Sequence, residues 1–296
     1  MVSPYNLTQS AVTRQLKAMG CDLFELGLYW RERDIMSLRM WDAKQVISSI
    51  AYLRSQNTAG RDIFIRPAGS QGLVFFDDLD RRIINQLELD GLAPAVLIQS
   101  SPLNYHGWLR VSNSPIPEDL ATAVCKVLAV GYGGDKDSAD WRHFGRLAGF
   151  TNRKPQYVGG DGKYPFVLLS SSNGRLAERA ADLLNDAQAY LVEQEATLAE
   201  RAKRIQEAAP VPPENLPDPH DFYESQLRGL NRRFGASLDN SRADWMIVTQ
   251  MVNKGYSRET IEAVLLDLSP AVYKRRKNPA KYLAATLDEA YCTPGA

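Results

Sequence analysis

The chain has 296 residues, of which 44% are hydrophobic and 24% are charged, a composition typical of a globular protein. Lys and Arg together number 35, as do Asp and Glu, so the formal net charge is zero and a uniformly basic surface is excluded. The cysteines Cys21, Cys125 and Cys292 form no CxxC pair and the three histidines form no HExxH pattern, which excludes the common zinc signatures.

The first part of the chain alternates between strand-like and helix-like segments. Apolar periodicity predicts helices at 9–19, from Trp41 to about Arg54, and at 81–89, 117–128 and 139–148. Extended apolar runs predict strands at 23–31, 35–40, 63–66, 73–76, 95–98, 105–111 and 165–169. Gly69, Ser70 and Gly72 suggest a tight hairpin between two of these strands. Paired strands with helices between the pairs indicate an α+β fold.

Beyond residue 174 the pattern is helical. Apolar residues recur at helical spacing over 174–208, which predicts one long helix. Five prolines within 210–219 cannot be helical and predict a stiff linker. We therefore expect a first domain over 1–208, a linker over 209–220 and a small all-helical domain over 221–296.

The sharpest motif is Leu73-Val-Phe-Phe-Asp-Asp-Leu-Asp80, an apolar strand that ends in three acids. Carboxylates on a rigid strand suit Mg²⁺ or Mn²⁺, because these ions prefer oxygen ligands. In a regular strand Asp78 and Asp80 share one face while Asp77 points to the other, so Asp77 and Asp78 reach one metal only if the strand bends. The competing interpretation is a strand-to-helix turn in which Asp80 is the N-cap.

Two further motifs offer candidate ligands for an anion. His106 lies in an aromatic strand, where an imidazole can contact phosphates or transfer protons; a half-buried, hydrogen-bonded structural histidine is the simpler interpretation. The segment from Asp140 to Lys154 combines one acid with His143 and four cations, which can clamp a triphosphate or a DNA backbone. A solvated basic face is the alternative.

Two weaker signals follow. Gly159-Gly-Asp-Gly-Lys163 lacks the spacing of a phosphate-binding loop and is better explained as a hairpin turn. The segment Tyr273 to Tyr282 has five cations, no acids and flanking aromatics, a mixture suited to single-stranded DNA. Its candidate DNA-binding residues are Lys274, Arg275, Arg276 and Lys277, and an exposed helix face is an equally supported alternative.

The order of the motifs resembles the plasmid branch of the archaeo-eukaryotic primase superfamily, in particular the RepB′-type primases of IncQ broad-host-range plasmids. Asp77-Asp78 is followed by Ser101-Pro-Leu-Asn-Tyr-His106-Gly-Trp, then by Asp140-Trp-Arg, and finally by Arg146-Leu-Ala-Gly-Phe-Thr-Asn-Arg-Lys154. The last motif is the most specific. The resemblance covers residues 1 to about 170, while the helical part is similar to the family's accessory domain without a sharp motif.

This resemblance implies a catalytic core related to the RNA-recognition-motif fold, followed by a long helix and a helical domain. It implies a DNA primase that makes primers on single-stranded DNA for plasmid replication by two-metal nucleotidyl transfer, with Mg²⁺ or Mn²⁺. By this resemblance Asp77, Asp78 and Asp140 are the catalytic metal ligands. The broader superfamily often spaces its first two acids by one residue, which would select Asp78 and Asp80 instead. His106, Arg146, Arg153 and Lys154 would bind the incoming nucleotide.

The expected partners are a single-stranded template at a plasmid origin and nucleoside triphosphates, with a plasmid helicase and an initiator as further candidates. No apolar run approaches the ~20 residues of a membrane span, and the first residues do not form a signal peptide; we expect a cytoplasmic protein without a membrane partner. One alternative is a non-catalytic replication initiation protein that binds single-stranded DNA, which would not need the acids. Another is a nucleotidyl transferase acting on a small acceptor, which would not need a template.

Overall fold

A computed structural model of the protein describes residues 4–133, 139–207, 216–235, 238–274 and 279–291. The chain forms two compact units, Met1–Glu193 and Gln194–Ala296. The segment predicted as the proline-rich linker lies largely outside the described residues, so the predicted domain limits stay a prediction. No helix of the described segments is long and apolar enough to cross a membrane.

The first unit is built from two four-stranded antiparallel sheets and their covering helices. The first sheet has the order β2-β1-β3-β7, and the second has the order β4-β6-β5-β8. The strands are β1 Leu23–Trp30, β2 Ile35–Asp42, β3 Asp62–Pro67, β4 Leu73–Leu79, β5 Val96–Ser101, β6 Asn104–Arg110, β7 Gly145–Arg146 and β8 Leu168–Ser172. The helices are α1 Pro4–Met19, α2 Ala43–Ser48, α3 Ile50–Thr58, α4 Arg81–Leu89 and α5 Glu118–Tyr132, and α6 Ala180–Glu207 begins in this unit.

Strand β4 contributes to two hydrophobic cores. Phe75 lies in a core with residues of the first sheet and α1, whereas Phe76 lies in a core with α4, α5 and the start of α6. Successive side chains of a strand point to opposite faces, so two neighbouring aromatic residues fill both cores. Burying each contributes about 1.5–3 kcal/mol. The acids that follow Phe76 are therefore held by a strand that is packed on both faces.

The described residues of the second unit form helices joined by turns, without a strand, and they have their own core. Its helices are α7 Pro219–Phe234, α8 Asn240–Lys254, α9 Arg258–Leu268, α10 Pro270–Lys274 and α11 Pro279–Tyr291. The predicted α+β class, with a long helix followed by an all-helical part, is thereby confirmed.

Two local predictions are wrong. Strands β3 and β4 do not form a hairpin, because they belong to different sheets. Gly72 is needed for a different reason: its φ is +66°, and a Cβ there would overlap the carbonyl oxygen of Ser112. The helix predicted over 139–148 does not form; these residues make a turn that leads into β7.

Other predicted boundaries move by a few residues. Helix α1 begins at Pro4 and not at residue 9, and α5 continues to Tyr132. Strand β8 begins at Leu168, three residues later than predicted.

Candidate active site

A small cavity of about 130 Å³ lies where the two sheets of the first unit meet. Both sheets contribute side chains to its wall, among them Phe64 of β3, Asp77 and Asp78 of β4, Ser100 of β5, His106 of β6 and Arg146 of β7. Lys154, which follows β7, also lines it. The cavity thus collects polar and charged groups from segments that are far apart in the sequence.

A bulge in β4 brings the two adjacent acids to this cavity. Phe76 pairs with Gly107 and Leu79 pairs with Tyr105, so two residues of β4 face one residue of β6. Asp78 has a φ of +52°, in the left-handed region that Asp tolerates better than most residues. The strand therefore deviates at the point where a regular strand would separate Asp77 from Asp78. Both line the cavity.

The two carboxylates are in different environments. Burial raises the pKa of Asp77, and the neighbouring charge of Asp78 acts in the same direction, against the Asp78 backbone N–H, His143 and Lys154. Asp78 is exposed, and its Oδ1 accepts a hydrogen bond from Nδ2 of Asn104 at 3.1 Å. A half-buried carboxylate next to a second one is stabilised by any cation that enters the cavity.

Asp80 does not belong to the cavity wall. Its Oδ1 accepts the backbone N–H of Ile83 at 2.7 Å, and it is the N-cap of α4. The geometry accordingly groups Asp77 with Asp78, and it gives Asp80 the capping role that was the competing interpretation of the motif.

His106 is buried, with 2% of its surface exposed, and its Nε2 accepts the backbone N–H of Arg146 at 3.1 Å. Burial and the nearby charge of Arg146 lower the pKa of His106 to about 3. The imidazole is therefore neutral and carries its proton on Nδ1. Through this hydrogen bond the His106 ring holds the main chain of β7 against β6.

Arg146 is a buried cation that hydrogen bonds of the described residues satisfy only in part. Its Nη1 donates to Oδ1 of the fully buried Asp62 at 2.5 Å, and its guanidinium lies over the Phe64 ring at 4.8 Å. Within the described residues its Nη2 is buried without a hydrogen-bond partner. A buried guanidinium N–H without an acceptor is costly, so this group suits an anionic ligand in the cavity.

Asp62 organises the basic residues around the cavity. It accepts hydrogen bonds from Nη2 of Arg31 at 3.1 Å and from the backbone N–H of Arg153 at 2.7 Å, in addition to its bond from Arg146. Burial by itself would raise the pKa of Asp62, but these three donors hold it below its usual value. Asp62 was not predicted as a site residue, because a single acid at the start of a strand forms no recognisable motif.

The two remaining predicted cations differ in placement. Lys154 lines the cavity and is half-buried. The guanidinium of Arg153 instead donates to the backbone oxygens of Asn57 at 2.7 Å and Thr58 at 2.6 Å, at the end of α3. The predicted contact of Arg153 with a nucleotide has no support in this geometry, which gives Arg153 the task of holding α3 next to Asp62.

Asp140 is not assembled with the other two acids. It lies in a neighbouring surface pocket with Arg142, His143 and Phe144, of which Phe144 also lines the cavity. Its Oδ1 accepts the backbone N–H of Arg142 at 2.9 Å. Across the described segments, no three His, Cys, Asp or Glu side chains are placed to hold one metal. The assignment of Asp140 as a third metal ligand therefore stays a prediction.

The two acids of the cavity nevertheless fit a hard divalent cation. Mg²⁺ is commonly held by one or two carboxylates, with water and substrate phosphates completing its coordination. Asp77 and Asp78 supply two carboxylates on one wall. Because burial and the charge of Asp78 raise the pKa of Asp77, a cation bound beside it would stabilise its ionised form. The chemistry of this donor set favours Mg²⁺ or Mn²⁺ over zinc.

The predicted DNA-binding segment is only partly described. Arg275, Arg276 and Lys277 lie outside the described residues, and Lys274 ends α10. Tyr282, one of the two flanking aromatics, donates a hydrogen bond from Oη to Asp244 at 2.7 Å. That residue is therefore part of the helical core and not an open stacking surface.

The Gly159 to Lys163 segment forms a turn, as its simpler interpretation suggested. The backbone N–H of Gly159 donates to the oxygen of Lys163 at 2.8 Å. Ser101, Asn104 and Asn152 also line the cavity, although their sequence motifs predicted no role for them. Nδ2 of Asn152 donates to the oxygen of Ser100 at 2.8 Å.

Family models match most of the chain. Residues 30–196 match the RepB DNA-primase N-terminal domain, and residues 238–290 match the RepB DNA-primase C-terminal helical domain. The first of these models alone covers more than half of the sequence.

Two curated relatives are longer than this chain. Mobilization protein A of Escherichia coli is 35% identical over 295 residues, which are 97% of this chain and 41% of the relative. A DNA primase of Acidithiobacillus ferrooxidans is 28% identical over 225 residues, which are 73% of this chain and 62% of the relative. The chain thus spans less than two thirds of the length of either.

Two solved structures are similar in fold and sequence. The crystal structure of primase RepB′ is 34% identical, with a TM-score of 0.62 over 97% of this chain and 96% of the other. The catalytic domain of primase RepB′, solved in complex with initiator DNA, is 36% identical, with a TM-score of 0.60 over 64% of this chain and 98% of the other.

Proposed function

The chain belongs to the RepB primase family, and we propose that it is a DNA primase that makes primers on single-stranded DNA by template-directed nucleotidyl transfer. One observation carries the proposal: the bulge in β4 puts Asp77 and Asp78 on the wall of a cavity that Arg146 also lines, and the Nη2 of Arg146 is buried without a hydrogen-bond partner among the described residues. Carboxylates for a metal and donors for phosphates are what this reaction needs, because phosphoryl transfer depends on alignment and charge stabilisation.

Asp77 and Asp78 would hold Mg²⁺ or Mn²⁺, with Asp140 as the proposed third ligand. Once bound, the metal would neutralise the triphosphate and favour loss of the proton from the attacking 3′-hydroxyl. The side chain of Arg146 would donate from Nη2 to a phosphate oxygen, and Lys154 would add a second positive charge. The hydroxyl oxygen then attacks the α-phosphorus, and pyrophosphate leaves.

His106 and Arg153 have supporting roles in this proposal. His106 is neutral, so its help in phosphate binding would be a hydrogen bond and not a charge. Its hydrogen bond from the Arg146 backbone N–H would hold that residue at the cavity wall. Arg153 acts through Asp62, whose carboxylate orients Arg146. Both are positioning residues.

The test is primer synthesis on single-stranded DNA with labelled nucleotides and Mg²⁺ or Mn²⁺. Wild type should give template-dependent product, and Asp78→Ala should give at least a hundredfold less while keeping the wild-type circular dichroism spectrum. Asp161→Ala is the matched control, since this acid is 60% exposed in the Gly159 to Lys163 turn. Product from Asp78→Ala at the wild-type level would overturn the assignment. Template binding without synthesis by wild type would favour a non-catalytic DNA-binding protein.

The helical unit is proposed to grip the template. The catalytic domain of primase RepB′, without a helical unit, was solved with initiator DNA. From that we propose only that a plasmid-origin single strand is the DNA partner of this chain, with nucleoside triphosphates as its substrates. A plasmid helicase and an initiator stay expected partners, and the cytoplasm is the proposed location because plasmid templates are there. Deleting residues 212–296 should weaken template recognition more than nucleotide binding; an equal loss of both would contradict this division.

A further inference from the structure

Leu103 stands out at the loop between β5 and β6. Ser101 pairs with Asn104, so Pro102 and Leu103 form a two-residue loop. Leu103 has a φ of +64° and is 81% exposed. A proline followed by a residue with positive φ is the pattern of a type II turn, whose second central position favours Gly or Asn. The turn therefore does not require a leucine, and exposure of an apolar side chain to solvent is unfavourable at this position.

This leucine is beside the cavity. Its neighbours Ser101 and Asn104 both line the cavity wall, and Asn104 donates to the carboxylate of Asp78. The backbone conformation at Leu103 is unfavourable for a large side chain, and such conformations are concentrated at functional sites. A leucine in this place is therefore explained by a ligand more readily than by the fold.

A second exposed apolar residue flanks the same wall. Phe166 is 56% exposed and forms an antiparallel bridge with Thr151, next to the cavity residue Asn152. Strand β8 begins beside the end of β5, where Leu168 pairs with Gln99. Since β5 ends at the Leu103 loop, Phe166 and Leu103 lie toward the same end of the second sheet.

We propose that Leu103 and Phe166, here called the apolar rim, contact bases of the single-stranded template just outside the cavity. This inference rests on the proposed function. The cavity is small, at about 130 Å³, and its charged and polar wall suits phosphate groups better than bases, so this proposal places the bases beyond its wall. Aromatic side chains stack on bases of any sequence, and apolar side chains also pack against unstacked bases, whereas phosphates require charge.

Four variants separate this role from a structural one. Leu103→Asn keeps the left-handed turn, which Asn tolerates, but removes the apolar surface. Leu103→Met keeps the apolar surface, and Phe166→Ala removes the aromatic ring. Leu89→Ala is the matched control, because Leu89 is equally exposed, at 82%, at the end of α4.

The measurements on the full chain are the Kd for a labelled single-stranded oligonucleotide by fluorescence anisotropy, the KM for nucleotide in primer synthesis, and the Tm. Leu103→Asn and Phe166→Ala should raise the Kd at least about fivefold and change the nucleotide KM less than about twofold. The Tm of Leu103→Asn should equal or exceed that of wild type, because the turn is relieved of strain. Leu103→Met and Leu89→Ala should bind like wild type.

Wild-type template affinity in Leu103→Asn would overturn the inference, as would a loss confined to the nucleotide KM. The same Kd increase in Leu89→Ala would also overturn it, because the effect would then belong to any exposed leucine. If wild type makes primers and Leu103→Asn binds template normally, the proposed function stands and only the inference about the apolar rim is wrong. If wild type makes no primers on any template, the proposed function fails and this inference fails with it.

Discussion

Asp80 differs in task from Asp77 and Asp78, although the three lie within four positions. Its carboxylate caps α4 and does not line the cavity. Asp80→Ala should therefore lower the free energy of unfolding by about 1 kcal/mol, the usual cost of a lost N-cap, and leave primer synthesis within about twofold of wild type. Urea unfolding and the primer assay would measure the two effects. Loss of synthesis in a stably folded Asp80→Ala protein would instead favour the Asp78–Asp80 pair as ligands.

His106 makes the stability of the first unit depend on pH. Its pKa in the folded chain is about 3, below its ordinary value of 6.5, so the unfolded chain takes up a proton first as the pH falls. Its contribution to stability is complete above pH 6.5 and is lost toward pH 3, by up to about 1.4 kcal/mol per pH unit.

His106→Gln removes this titration and keeps an acceptor for the Arg146 N–H. Between pH 7 and pH 5 the wild type should lose about 2 kcal/mol more unfolding free energy than His106→Gln. Urea unfolding at the two pH values measures the difference, in which the other titrating groups cancel. Parallel losses in the two proteins would mean that His106 can be protonated in the folded state.

The sequence allowed the two acids to be predicted but not the bend that joins them. The bulge at Asp77 and Asp78 depends on which residues of β6 they face, and this is set by strand pairing and not by local propensity. Asp62 escaped prediction for the same reason. Its partners Arg31, Arg146 and Arg153 are 31, 84 and 91 residues away along the chain.

At the scale of elements, β7 shows how a short segment can be fixed by its neighbours. Its Gly145 is buried, and a Cβ there would overlap the Trp108 ring and approach Phe75 at 2.9 Å. Gly145→Ala should therefore displace β7, lower the free energy of unfolding by about 1–3 kcal/mol and reduce primer synthesis through Arg146. Gly160→Ala, at a glycine with open space around it, is the control that should behave like wild type.

Gly145→Ala would be measured by urea unfolding and by the nucleotide KM. A loss of stability without a change in the KM would show that Arg146 does not depend on β7 for its position.

The same region explains why the helix predicted over 139–148 does not form. Trp141, Phe144, Leu147 and Ala148 are spaced as on a helical face, but Leu147 and Ala148 are buried in a core against strands and α1, and tertiary packing outweighs a short periodic signal.

Elements with a long regular pattern were predictable, and their partners were not. The strands β1, β2, β5 and β6 lie close to their predicted positions because their apolar runs are bounded by polar turns. The pairing of β3 with β1, and of β4 with β6, could not be predicted. Adjacent strands in sequence usually pair, and here that tendency predicted a β3–β4 hairpin that does not exist.

At the scale of the whole molecule, the helical unit contains a buried carboxylate of its own. Asp244 is fully buried, and it accepts hydrogen bonds from Oη of Tyr223 at 2.5 Å, from Oη of Tyr282 at 2.7 Å and from the hydroxyl of Ser269. Burial and the bond to Asp244 raise the pKa of Tyr282 to about 12. Asp244 thus connects α7, α8 and α11 through hydroxyl donors.

Removing this carboxylate should damage the helical unit selectively, because the two units have separate cores. Asp244→Ala leaves the buried hydroxyls of Tyr223 and Ser269 without this acceptor, at about 1–3 kcal/mol each, and removes one partner of the half-buried Tyr282. Peptides from 219–291 should therefore lose protection in hydrogen–deuterium exchange while peptides from 23–110 keep theirs. Asp267→Ala is the control: this acid is 68% exposed and pairs with His220, and exposed pairs contribute about 1 kcal/mol at most. If Asp244→Ala exposes β1 to β6 as strongly as α7 to α11, the two units unfold as one, and template binding could not be assigned to the helical unit by deleting it.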